Sequence, residues 1–157
     1  KNKTIMMEKD TIKTAPLLAM LYANKITENH FSKINPSFNI EDLINKKVDI
    51  FSSYLSNEIF KLEKEGIKYN IFNPKDYGFD MYNDLIFTSA VLAKQNPKLV
   101  YKFQKASLEG WEYAFNNIDE TIKLILQNYN TQNKSKGALE YEAKVLKQLA
   151  YKDDIPL

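Results

Sequence analysis

A chain of 157 residues with 22 basic and 20 acidic side chains, for a formal charge of +2, has the length of one domain and room for a core that folds without staples. Every basic residue is lysine, so the planar guanidinium fork that reads phosphates and guanines is missing, and acids interleave with the lysines; both features argue against nucleic-acid binding. With no cysteine there is no disulfide framework, thiolate nucleophile or cysteine-ligated zinc, and no apolar run approaches the roughly 20 residues that span a bilayer.

Thr4 to Met7 is a short apolar run followed by Glu8-Lys9-Asp10, which suits a buried strand ending in a polar loop. Leu17, Leu18, Leu21 and Tyr22 then share a helical face, with Pro16 tolerated if the helix begins near Thr14 and Asn24-Lys25 closing it. The single histidine, His30, stands in a polar run and reads as a surface residue. Phe31 to Ile34 forms a second strand, and Asn39 with Asp42 opens a short helix over Ile40, Leu43 and Ile44. Val48 to Leu55 is a third strand, after which Ser56-Asn57-Glu58 starts a helix through Ile59 and Leu62 that Gly66 stops. With Lys68 to Asn73 as a fourth strand, the first half alternates strand and helix, which predicts a mostly parallel sheet covered by helices.

In such sheets ligands bind beyond the carboxyl ends of the strands, so the loops Glu8 to Thr11, Ser53 to Glu58 and Pro74 to Asn83 are expected to meet there. The stretch Asn73 to Ser89 is the centre of that expected site: Asn73-Pro74 ends one strand, Gly78 lets backbone come close to a ligand, and Leu85 to Thr88 begins another strand. Beyond it the alternation ceases and helices take over. Asn96-Pro97 starts one whose face carries Leu99, Val100, Phe103, Ala106, Ser107 and Trp111, and whose Gly110 marks a close approach of another element. Asn117 opens the next, with Ile118, Ile122, Ile125 and Leu126 inward; Ser135 opens the last, with Leu139, Ala143, Leu146 and Leu149. Trp111, Tyr113 and Phe115 read as core rather than as a ligand box.

Three segments, SYLSNE (Ser53 to Glu58), FNPKDYGFDMYNDLIFTS (Phe72 to Ser89) and NPKLVYKFQKASLEGWEYAFNN (Asn96 to Asn117), resemble periplasmic solute-binding proteins for thiamine pyrimidine precursors. NEIFKLEKEG, NPKDYGFD and ALEYEAKVLKQLAY look most like the versions that serve as extracytoplasmic sensors of histidine kinases and diguanylate cyclases. The resemblance implies an α/β fold with a type II periplasmic-binding-protein lobe, three layers around a mixed sheet, followed by C-terminal helices. Residues 1–88 would be the second lobe with an antiparallel crossover strand at Leu85 to Thr88, and 89–157 a helical return toward a first lobe that lies outside this excised piece. It also implies a periplasmic or extracytoplasmic place, tethered to a membrane only through a longer protein.

On this resemblance the partner is a small pyrimidine-like heteroaromatic molecule, bound without a cofactor, a metal or catalytic residues. Tyr54, Asn57 and Glu58 would frame the ring at the strand–helix junction, and Tyr77, Gly78, Asp80 and Tyr82 would close on it, with a tyrosine stacking and a carboxylate accepting from an exocyclic amine. Exposed apolar surface on the later helices would be covered by a second copy of the chain. A pyrimidine-synthase-like enzyme would use Asp80 and Asp84, but such an enzyme needs a site histidine and a cysteine-rich motif, and this chain has only the surface residue His30 and no cysteine. A helical interaction domain is the third reading, and it predicts no small-molecule pocket.

Overall fold

The computed structural model describes residues 3–8, 14–81 and 85–151. They fall into two compact units, one drawn from residues 1–54 and 61–84, the other from 55–60 and 85–157.

The first unit is built on a parallel sheet of order β2-β1-β3, with β1 at Lys3–Met6, β2 at Phe31–Ile34 and β3 at Ile50–Phe51. The central strand is covered on both faces, which is why its sequence is a continuous apolar run rather than an alternation. Ile5 and Met7 point one way and pack with Leu18 of helix α1 (Ala15–Ala23), joined by Leu17, Leu21 and Phe31. Met6, out of phase with them, is buried on the opposite face, where its sulfur accepts from the amide (3.3 Å) and hydroxyl (3.4 Å) of Ser37. Pro16 sits in the first turn of α1, where a missing N–H costs nothing. The side chain of Asn39 accepts from the Glu41 amide (3.1 Å) to start the one-turn helix α2 (Glu41–Ile44). Helix α3 (Ile59–Lys64) buries Ile59 and Leu62 and is stopped by Gly66, at φ 66°.

Three expectations fail here. Lys68 to Asn73 joins no ladder, and β3 is far shorter than Val48 to Leu55 because the chain turns at Leu55 toward α3. Leu85 to Thr88 is not a strand either: its side chains are exposed, Phe87 by 90%, and it pairs with no described strand. The antiparallel member of the sheet is therefore absent among the described residues, and every described strand pair is parallel. An apolar, β-branched run meets only half the requirement for a strand; the other half is a partner.

The second unit is helical. Helix α4 (Ala90–Gln95) is capped by the Ser89 hydroxyl, which accepts from the Leu92 amide (3.1 Å), and α5 (Pro97–Asn116) follows with proline at its first position. Helix α6 (Ile118–Asn128) buries Ile122, and α7 (Lys136–Ala150) buries Leu139 behind a Ser135 cap that accepts from Ala138 (3.2 Å). Of the aromatic stripe on α5, Phe115 is core, edge-on to Tyr151 with centroids 5.6 Å apart; Trp111 and Tyr113 are half exposed, against expectation. The Lys147 ammonium donates to the Phe115 carbonyl (3.2 Å), satisfying an end of α5 that has no following turn.

Candidate ligand-binding site

The strand order fixes where this sheet can hold a ligand. The chain leaves β1 for β2 on one side while β3 lies on the other, so the switch point, beyond which open sheets of this kind hold their ligands, falls at the carboxyl ends of β1 and β3. Two bonds carry the ladder one step past the strands: Met7 N–H donates to the Ile34 carbonyl (3.1 Å) and Ser52 N–H to the Met6 carbonyl (3.0 Å). Glu8 on one side, and Ser53 with Tyr54 on the other, are thereby the first residues clear of the sheet at this edge. The opposite, amino-terminal edge is closed by charge. Asp49 accepts from the Lys3 ammonium (2.5 Å) and the Thr4 amide (2.9 Å), and these donors hold its carboxyl below the usual carboxylate range.

Tyr54 follows β3 at the carboxyl edge, 61% exposed. Tyr77, Gly78 and Asp80 lie in the same unit, Tyr77 ending and Gly78 capping a 3₁₀ turn (Pro74–Tyr77) that packs against α1, with Asp80 two residues further on. The turn forms because the Asn73 side chain accepts from the Lys75 amide (3.1 Å), proline fixes the next position, and Gly78 takes φ 86°. Conformation, not closeness to a neighbour, is what needs the glycine, since nothing lies within 4 Å of where a Cβ would stand. Asp80 faces the Lys75 ammonium at 3.5 Å. Asn57 and Glu58 belong to the second unit, where the Asn57 side-chain amide donates to the Glu58 carboxylate (3.1 Å) just ahead of α3. Tyr82 and Asp84 lie outside the described residues.

The structure thus groups Tyr77, Gly78 and Asp80 at one turn and Asn57 with Glu58 at one helix start, and sets Tyr54 at the carboxyl edge. Glu8 was not singled out from the sequence, although its place directly after an apolar strand was the available signal. Shallow hollows on the second unit, one beside Lys98, Tyr101, Lys102 and Lys105 of α5 and one beside Ile122, Leu126 and Lys136, contain none of these residues.

Comparison with known proteins adds three findings. The family profile described as NMT1/THI5 like matches residues 1–121, from β1 into α6. A formylaminopyrimidine-binding protein from Halalkalibacterium halodurans is 29% identical over 85 residues, covering 54% of this chain and 26% of that protein. The riboflavin-binding protein RibY of Chloroflexus aurantiacus is 34% identical over 112 residues, covering 71% of this chain and 32% of that protein. The chain therefore spans about a third or less of the length of these relatives.

Proposed function

We propose, since this chain belongs to the NMT1/THI5-like family, that it is a small-molecule-binding module that takes up a heteroaromatic ligand, a thiamine pyrimidine precursor or a similar ring, without transforming it. The observation that carries this reading is the family match over residues 1–121, which takes in the whole sheet, its carboxyl edge and the turn with Tyr77. Aromatic rings and carboxylates near such an edge suit a flat, nitrogen-bearing ligand. A flavin is the second ligand this reading admits, because the relative matched over the longer stretch is a riboflavin-binding protein.

In this reading residues 1–88 are the second lobe of the receptor and 89–157 its helical return. The module works outside the cytoplasm and passes its ligand, or the news of it, to a transporter or to a membrane-bound signalling protein. This part rests on the resemblance of the SYLSNE and NPKDYGFD stretches to such receptors.

Glu58 gives the test. If it accepts a charge-assisted hydrogen bond from an aminopyrimidine, Glu58→Gln weakens binding by about 1.5–3 kcal/mol, tenfold or more, with little change in stability. If it only favours the start of α3, the same change lowers stability by about 0.3–1 kcal/mol and leaves affinity unaltered. Isothermal titration with a hydroxymethyl aminopyrimidine, beside urea melts, measures both; the second pattern removes Glu58 from the site. Thermal shifts with the same compound test the module itself, since a specific ligand raises the melting temperature.

A further inference from the structure

We propose that the chain pairs with a second copy of itself through helix α5, the two helices running antiparallel along a seam of Leu99, Phe103, Ala106, Gly110 and Tyr113. The inference stands apart from the ligand reading above and uses none of its residues.

The seam residues recur at alternating spacings of four and three, the period of a coiled-coil contact, and so share one side of α5. Leu99, Phe103 and Tyr113 are each more than half exposed, and Ala106 and Gly110 are exposed between them. Phe115, the buried residue of this helix, lies on the opposite side, against Tyr151. A row of large apolar side chains facing water along one helix marks an interaction surface.

Size and charge both identify the occupant. Bulky Leu99 and Phe103 take the first part of the seam, small Ala106 and Gly110 the next. Turned end for end, a second α5 sets the partner's Gly110 under Leu99 and the partner's Ala106 under Phe103, and two-fold symmetry repeats both contacts. In the single chain nothing lies within 4 Å of where a Gly110 Cβ would stand, which leaves that space open to the partner's Leu99. Charge divides in the same way: Lys98, Lys102 and Lys105 stand in the first half of the helix, Glu109 and Glu112 in the second. The antiparallel register brings Lys102 beside the partner's Glu109 on the flank of the seam, whereas parallel helices would lay the lysine halves side by side. Glu109 also takes the Lys105 ammonium of its own helix at 3.7 Å, and a carboxylate accepts from two donors. An anionic membrane or polyanion would meet Glu109 and Glu112 along the same helix and so fits only half of it.

Sedimentation equilibrium of the purified protein over a wide range of concentrations tests this. A reversible monomer–dimer equilibrium is expected, because a seam one helix wide buries at most roughly 1,200 Å², the low end for stable interfaces. Phe103→Glu, which puts a charge in the seam, should weaken dimerisation about tenfold or more, while Tyr101→Glu, exposed on the same helix but off the seam, should leave it within about twofold. Lys102→Glu and Glu109→Lys should each weaken it about fivefold, since both symmetry-related contacts turn repulsive, and the double reversal should restore it. Helicity and the melting temperature of the dilute monomer should change little in all four variants, because the altered side chains are exposed. A protein that stays monomeric at every concentration, a dimer that Phe103→Glu leaves intact, or charge reversals without effect would each overturn the proposal. A monomer that binds vesicles of anionic lipid would overturn it in favour of a membrane surface.

Discussion

Gly110 lies in the middle of the longest helix, and no atom stands within 4 Å of where its Cβ would be. The sequence suggested that another element comes close here, but among the described residues that neighbour is absent. Gly137 is where such an approach occurs: a Cβ there would meet the Phe60 ring at 3.4 Å. Glycine in an open helix interior only loses backbone freedom, so Gly110→Ala should stabilise the protein by about 1 kcal/mol in urea melts. A loss of stability would mean that something does pack on that face. Gly66 stops α3 at positive φ, as expected of it; Gly78, singled out for close approach of backbone to a ligand, stands at positive φ at the end of a 3₁₀ turn.

At the scale of elements, Asp49 is the link between β1 and the approach to β3. It holds both Lys3 and the Thr4 amide, one residue before the two strands come into register. Its folded pKa is lowered, chiefly by the Lys3 hydrogen bond and then by the Thr4 amide. Its stabilising effect is therefore fully present above the unfolded value of about 3.9 and fades as the pH falls through the lower, folded one. Asp49→Asn should accordingly melt below the unaltered protein at neutral pH, and the gap should close in melts carried out at progressively lower pH; a gap that stays constant would show that the carboxylate charge contributes nothing.

The elements also show what a sequence discloses. The strands Lys3–Met6 and Phe31–Ile34 and the helices α1, α5, α6 and α7 were legible because each is announced locally, by an apolar run, a helical stripe, a proline at the first position or a serine cap. Lys68 to Asn73 and Leu85 to Thr88 misled because pairing is not a local property. The resulting all-parallel sheet would by itself have counted against the family, whose crossover strand runs antiparallel; the match over residues 1–121 decides the matter. Of the expected site, the turn Pro74–Tyr77 was legible from its Asn-Pro start and Gly78 stop, whereas how the loops come together is, like strand pairing, not a local property. Tyr54 follows β3 at the carboxyl edge, where the expected loop begins, while Tyr82 and Asp84 lie outside the described residues.

Among the described residues, each unit buries apolar side chains of its own. Met7, fully buried at 0% exposure, belongs to the first unit, and Ile122, at 2%, to the second. Truncating either to alanine should cost about 2–5 kcal/mol, the range for emptying a packed aliphatic site. The two changes should differ in where they act. Met7→Ala should release amide protons of β1, β2 and β3 to exchange while α6 and α7 stay protected, and Ile122→Ala should do the reverse. Uniform loss of protection from either change would show that the units open as one.

The parallel sheet has a further consequence, for the order of events as the chain folds. Lys3 pairs with Phe31 and Ile5 with Ile50, so each ladder must wait for a long intervening segment to close, with α1 inside the first loop and all of β2 and α2 inside the second. Helices α5, α6 and α7 need only meet their neighbours in sequence. Local helical contacts assemble in microseconds to milliseconds, and non-local strand pairing is slower. The carboxyl edge of the sheet is thus made last, from the pieces of chain that have farthest to travel.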